Sequence, residues 1–360
     1  MSNQRITGYD IARALAVFGM VIVNFKTVMH ASSSSGTWWL PIFNVLDGRA
    51  SAIFVILAGV GITLLTNSAR LASDKTRLNQ EKIILLRRAA FLFATGLLYI
   101  SIWPADILHY YGVYIAIAAF LLSASLRNLL LIAVFIGAAF PAAFSLLDYS
   151  ASWNWESLAY SDFWSPTGFV RNLLFNGFHP VFPWSAFLIL GMALGRLPMD
   201  DARIRRKVFW LGLSSTIVIE MLAFTLRSLA LHKGYSADIA QYLFSTTPMP
   251  PLPLYFLSAI SSSLAVISLC VQAGESWKES PLIRPLIYTG RMALTLYVAH
   301  VVVGMGTLEA LGLLTNQSLS FAVGSAMLFC LAAIIFSYYW MSRFKLGPLE
   351  WLMRKVTFSS

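Results

Sequence analysis

The sequence predicts an all-α, polytopic integral membrane protein with about ten transmembrane helices and both termini in the cytoplasm, and three observations carry that prediction. The first is composition. Of 360 residues, 58% are hydrophobic and only 12% are charged, with a mean hydropathy of +0.70, whereas a soluble domain carries about 25% charged residues. The second is spacing: apolar runs recur at 11–30, 47–66, 84–103, 108–126, 128–147, 179–196, 207–230, 251–273, 290–312 and 319–342. Each comes close to the roughly 20 residues a helix needs to cross a hydrocarbon core about 30 Å thick. The third is the sidedness of charge. With the N-terminus inside, only Lys26, Arg49, Arg171, Arg227 and Lys233 of the 26 basic residues fall on outer segments, as expected when cytoplasmic loops collect Lys and Arg. Topology therefore accounts for the formal net charge of +10, and no nucleic-acid partner is expected. The chain reads as one transmembrane domain over 1–360.

In the first run, Asp10 and Arg13 lead directly into the apolar stretch, and so many spans follow that it reads as an uncleaved helix, not a signal peptide. Arg13 and Asn24 lie eleven residues apart, three helical turns plus about 20°, so they share one face about 16 Å apart. His30 follows at the outer mouth. A polar stripe thus runs from a cytoplasmic guanidinium to an outer imidazole, and such groups inside a span are candidates for function because they are costly there. The packing alternative has Arg13 snorkelling to headgroups and His30 as a plain loop residue.

The second run opens with Asp47-Gly48-Arg49, whose adjacent opposite charges suit an ion pair at a helix start. Arg49 stands on the side poor in basic residues, where it is placed to hold an acceptor or a carboxylate. Two outer segments are long. Residues 31–46 carry Ser32 to Ser35, Trp38, Trp39 and Pro41, and residues 148–178 carry Trp153, Trp155, Trp164 and Pro166. Their aromatics read either as interfacial belts or as a lid and sugar-stacking platform. The sixth run begins His179-Pro180-Val181-Phe182-Pro183-Trp184 and continues to Gly191 and Gly195. Its prolines keep the start non-helical and its glycines allow close helix contact. The ninth holds Arg291, Thr295, Tyr297 and His300, with Tyr297 and His300 one turn apart on one face.

Cys270 and Cys330 sit in apolar runs with no ligand spacing, and no metal site is expected. HExxH, GxSxG and Walker-type glycine loops are absent from the sequence. His30, His109, His179 and His300 are the acid–base candidates, His232 lying beside Lys233 in a loop. Glu220 and Glu309 have no sequence-local partner that identifies a role.

Asp10-Ile-Ala-Arg13 followed by apolar residues to Asn24, with His30-Ala31-Ser32 beyond, resembles the first span of the transmembrane acyltransferase superfamily, to which heparan-alpha-glucosaminide N-acetyltransferase belongs. Asp47-Gly48-Arg49 with Phe54 and Gly59, Phe182-Pro183-Trp184 with Gly191, Gly290-Arg291-Met292-Ala293-Leu294-Thr295 with Tyr297, and Gly347-Pro348-Leu349-Glu350-Trp351 with Arg354 resemble the YeiB-like bacterial membrane proteins. The resemblance implies an acyltransferase in a bacterial plasma (inner) membrane. It would move an acyl group, expected to be acetyl, from cytosolic acyl-CoA to an extracytoplasmic glycan or small acceptor.

In that reading Arg13, Arg87, Arg88 and Arg291 hold the CoA phosphates, as guanidinium forks do. Asn24 polarises the thioester carbonyl. His30 or His179 is the base or the acyl carrier. Asp47, Arg49, Trp184, Tyr297 and His300 complete the expected binding set. No permanently bound cofactor is expected. The expected partners are membrane lipids, acyl-CoA and the acceptor, with a homodimer left open. The alternatives are a transporter of a small organic solute or lipid precursor, with Arg13, Arg49 and His300 along its path, and a non-catalytic membrane partner.

Overall fold

The structure is a computed structural model and describes residues 5–31, 40–277, 280–281 and 283–358. Ser32 to Ser35, Trp38, Trp39 and Lys278 lie outside the described residues. In chain order the helices are α1 (Gly8–Val28), α2 (Leu40–Asn44), α3 (Arg49–Leu71), α4 (Lys75–Tyr99), α5 (Leu108–Phe120), α6 (Leu126–Leu146), α7 (Pro166–Arg171) and α8 (Val181–Leu194). They continue with α9 (Ala202–His232), α10 (Ala237–Phe244), α11 (Pro253–Ser276), α12 (Ile283–Arg291), α13 (Ala293–Ala299), α14 (Gly306–Ala310), α15 (Leu319–Arg343) and α16 (Pro348–Phe358). Two π-helical stretches, Asn172–Asn176 and His300–Met305, interrupt them. The β structure among the described residues is one short hairpin, β1 (Trp153–Asn154) with β2 (Ala159–Tyr160).

Helix starts follow local chemistry. Ser125 and Ser318 accept the free N–H of Asn128 and Phe321 at 3.1 and 3.2 Å, and Asp74 does the same for Arg77 at 3.0 Å. The predicted non-helical opening at 179–183 is present: Pro180 and Phe182 are extended, and the helix runs regularly only beyond them.

Seven described helices are long and apolar enough to cross a bilayer, or eight if the bent pair Pro166–Asn176 and Val181–Leu194 is one span. The chain is a multi-pass, all-helical membrane protein on these grounds. α6, α9 and α15 point Val134, Phe135, Leu211, Met221, Phe224, Leu328 and Leu331 outward, more than half exposed. Water penalises apolar faces of that extent and lipid tails accept them.

Two of the ten apolar runs take a different form. Most of the run 84–103 belongs to α4, whose stretch 75–88 carries Lys75, Arg77, Glu81, Lys82, Arg87 and Arg88 and which is not among the spans that length and composition pick out. Residues 108–126 give α5, only 13 residues and so about 20 Å long, less than a hydrocarbon core. α5 packs closely along α4.

The described residues within 1–54, 198–213 and 262–355 form one compact unit, and those within 55–197, 214–261 and 356–360 form a second. In the first, α1 packs on α12 and α15. In the second, α8 packs on α6, and its Gly191 meets the backbone of Ile56 in α3 while Gly59 of α3 meets the backbone of Leu188 and Met192. Thr63 seals the contact by donating to the Met192 carbonyl at 2.9 Å. The close helix contact expected at Gly191 is thus formed with α3.

Any side chain at Gly191 forces these backbones apart. Gly191→Leu is expected to lower the thermal unfolding midpoint of the detergent-solubilised chain, corresponding to a loss of about 1–3 kcal/mol. An unchanged midpoint contradicts the packing described.

Candidate functional site

The first unit gathers most of the residues that the sequence singles out. At the start of α1, the buried Asp10 carboxylate accepts from Arg5 Nε and Nη2 at 2.8 and 3.0 Å and from Arg13 Nη1 at 2.6 Å. Arg291, at the end of α12, lies close enough for the charges of Arg5 and Asp10 to act on it, and burial together with Arg5 depresses its guanidinium. Its Nη2 donates to the Lys345 carbonyl at 3.0 Å. Arg5 and Arg13 share one carboxylate, so the cluster keeps surplus positive charge while one face of Arg13 stays partly open.

Three turns along α1, Asn24 meets His300. Asn24 Nδ2 and His300 Nε2 are 2.9 Å apart. His300 is fully buried and its Nδ1 faces the Tyr297 carbonyl. A carbonyl only accepts, so Nδ1 carries the proton. Nε2 is therefore the bare acceptor, and the Asn24 amide N–H is the donor. The backbone widens into a π-helix from His300 onward, the kind of local insertion often found at functional positions. The Tyr297 ring sits 5.2 Å from the imidazole, on the shared face that their spacing predicts.

The helix carrying this imidazole is capped from far away. Glu350, in α16, accepts from the backbone N–H of Leu294 and Thr295 at 2.8 and 3.1 Å and from Thr295 Oγ1 at 2.5 Å. Thr295 Oγ1 in turn accepts from Leu349 N at 3.0 Å. A carboxylate across free N–H groups satisfies the start of α13 and opposes the positive end of its dipole. Burial raises the Glu350 carboxyl above its ordinary value, against the pull of its hydrogen bonds with Thr295.

At the other end of α1, buried Lys26 donates to Asn44 Oδ1 at 2.8 Å and to both Asp47 oxygens at 2.8 and 2.9 Å. Asp47 thus forms a hydrogen-bonded ion pair with Lys26, and the charge of its neighbour Arg49 also acts on it. Arg49 Nη1 reaches the Val45 carbonyl at 3.2 Å. His30 lies past the end of α1, exposed, with a left-handed backbone at φ 52°.

The second unit holds the remaining candidates. The His179 carbonyl accepts from Tyr114 OH, its ring packs against Trp184 with centroids 4.6 Å apart, and its Nδ1 is buried with no hydrogen-bond partner among the described residues. Trp184 is fully buried, with its ring against Phe187 and Tyr255. Arg87 Nη1 donates to the Thr357 carbonyl at 3.3 Å, and the Arg88 guanidinium lies over the Phe358 ring.

The segment 148–178 folds around buried Asn176. Its Nδ2 donates to the carbonyls of Tyr149 and Ala151, and its carbonyl accepts from Trp153 Nε1 at 2.6 Å. Arg171 ties Asp162 with two contacts of 2.8 Å and also bonds Tyr160 OH. The aromatics here form a built cap, although Trp164 stays largely exposed.

Sequence reasoning missed Asp106, Lys26 as a site residue, and the role of Glu350. Asp106 accepts from His109 N at 3.2 Å and faces its Nδ1 at 3.1 Å, with both side chains fully buried. An Asp three residues before a His at a helix start was the available signal. Glu220 finds its partners at a distance, accepting from Ser258 Oγ at 2.6 Å and Thr246 Oγ1 at 3.0 Å. No three His, Cys, Asp or Glu side chains among the described residues group as metal ligands.

Comparison with known proteins gives three matches. A family described as heparan-alpha-glucosaminide N-acetyltransferase, catalytic, matches residues 5–232. A family described as a protein of unknown function (DUF418) matches residues 198–360. The uncharacterized protein YeiB of Escherichia coli (strain K12) is 23% identical over 388 residues, covering 98% of this chain and 96% of that protein.

Glu350→Ala is expected to remove about 1–3 kcal/mol of stability by leaving the α13 N–H groups unpaired, read as a lower unfolding midpoint. Glu350→Gln is expected to lose less, since one amide oxygen still accepts. Because the folded-state value of Glu350 is raised, its contribution is complete below the unfolded value of about 4.5 and falls as pH rises through the folded one. Glu350→Gln should flatten that part of the stability–pH curve. A Glu350→Ala variant as stable as wild type sinks the capping role.

Proposed function

We propose, for a chain that belongs to the heparan-alpha-glucosaminide N-acetyltransferase catalytic family, a bacterial plasma-membrane acyltransferase that moves an acyl group, acetyl in the first instance, from cytosolic acyl-CoA to an extracytoplasmic sugar or small acceptor. Both termini then face the cytoplasm, and the arginine-rich start of α1 faces the donor. The observation that carries the reading is the Asn24–His300 pair, an amide oriented by a buried imidazole within an apolar helix. Polar groups placed inside spans are candidates for function.

Each residue has a role that its chemistry supports. Arg13 and Arg291 hold the CoA phosphates through guanidinium forks, with Asp10 fixing the Arg13 side chain. The thioester arm then lies along α1 toward Asn24. As the acceptor hydroxyl or amine attacks the carbonyl carbon, negative charge grows on the carbonyl oxygen, and the second Asn24 Nδ2–H, the one not donated to His300, stabilises it there. The new C–O or C–N bond forms, the C–S bond breaks, and CoA leaves as thiolate. His30 takes the acceptor proton and passes it to the thiolate, a task suited to an exposed imidazole. His300 touches no reacting atom in this scheme and acts as a positioning residue for Asn24.

Radiolabelled acetyl-CoA binding and transfer by the purified chain in proteoliposomes tests this. Asn24→Ala should keep acetyl-CoA binding and lose about 100- to 1,000-fold in kcat, the effect of removing one oxyanion donor. Arg13→Ala should weaken acetyl-CoA binding about tenfold, the worth of a charged hydrogen bond, with Arg13→Lys intermediate. Full transfer by His30→Ala moves the base role to His179. Undetectable acetyl-CoA binding together with solute counterflow overturns the enzyme in favour of a transporter.

A further inference from the structure

The start of α9 carries Arg203, Arg205, Arg206 and Lys207. Arg205 is buried, yet its hydrogen bonds all end on neutral oxygens. Nε and Nη2 reach Gln272 Oε1 at 3.0 and 2.8 Å, and Nη1 reaches the carbonyls of Met199 and Asp200 at 2.9 and 3.1 Å. No carboxylate among the described residues forms an ion pair with it. A buried cation without a counter-charge is expensive, and neutral carbonyls offset only part of that cost.

This guanidinium lines a half-open cavity of about 280 Å³ between α9 and α11. Arg206 adds a second positive charge to the wall, and the hydroxyl of Ser268 is buried with no hydrogen-bond partner among the described residues. The rest of the wall is apolar, with Trp210 and Leu269 both more than half exposed on the outward faces of their helices. The cavity therefore offers two guanidiniums and an unmatched hydroxyl to an acceptor-rich anion, and an apolar flank to whatever carries that anion.

We propose that this cavity binds the phosphate of an anionic phospholipid. Phosphate supplies the missing counter-charge and enough oxygens to take Arg205, Arg206 and Ser268 together. The glyceryl and acyl portion then lies against Trp210 and Leu269, where lipid tails already meet α9. A soluble phosphate compound shares the headgroup chemistry and gains nothing from that apolar flank. The proposal is independent of acyl transfer.

The test is lipid-dependent thermal stability of the full-length chain in neutral detergent. Phosphatidylglycerol should raise the unfolding midpoint in a saturable way, by mass action on the folded state. Inorganic phosphate and phosphatidylcholine with the same chains should not. Ala202→Trp, which fills the cavity from an exposed position, and Arg206→Gln should each require about tenfold more phosphatidylglycerol for half the effect, the loss of about one charged hydrogen bond. An equal response from wild type and both variants, or none from wild type, overturns the site. Stabilisation by inorganic phosphate that phosphatidylglycerol cannot displace overturns the lipid as its ligand.

Discussion

Inside hydrocarbon an amide and an imidazole have no water to turn to, and the hydrogen bond between Asn24 and His300 is the arrangement on which the first unit's polar interior depends. The Tyr297 carbonyl fixes which imidazole nitrogen carries the proton, that choice makes Asn24 the donor, and the donor orients the amide. Each step follows from the one before because a buried polar atom with the wrong partner costs more than a correct partner returns. The π-helical widening at His300 belongs to the same arrangement, since it is where the regular ladder gives way beside the imidazole.

Around this pair, α1 behaves as a rod with ionic ends. Asp10 ties Arg5 and Arg13 at its start, and Lys26 locks onto Asn44 and Asp47 near its finish. Such pairs add little where water reaches them, and where they are buried the cost of desolvation offsets much of their attraction, so their main effect is to fix the helix and the segments touching it. Glu350 does comparable work from the far end of the chain by holding the start of α13. The C-terminal Gly347-Pro-Leu-Glu-Trp351 block thereby acquires a physical role, the placement of the helix that presents Tyr297 and His300.

Much of this was legible in the sequence because it depends on short-range periodicity. Arg13 and Asn24 share a helix, Tyr297 and His300 share a face, and Gly191 permits a close contact; each follows from spacing alone. What spacing does not supply is the identity of a partner on another element. Spacing puts Arg49 two residues from Asp47 but gives no sign that Lys26 also bonds it, and Glu350 gives no local sign that it caps a helix 55 residues earlier. Apolar runs also need not coincide with long apolar helices, as the charged beginning of α4 and the brevity of α5 illustrate. Trp184 illustrates a further limit: an aromatic expected in the binding set is packed into a core by Phe187 and Tyr255.

The most direct test of the central claim is nitrogen NMR of the full-length chain carrying labelled histidine, with His300 assigned by its loss in His300→Gln. The account predicts a neutral imidazole protonated at Nδ1 and bare at Nε2, whose Nε2 resonance moves in Asn24→Ala. A ring protonated at Nε2, or an Nε2 resonance indifferent to Asn24, contradicts it.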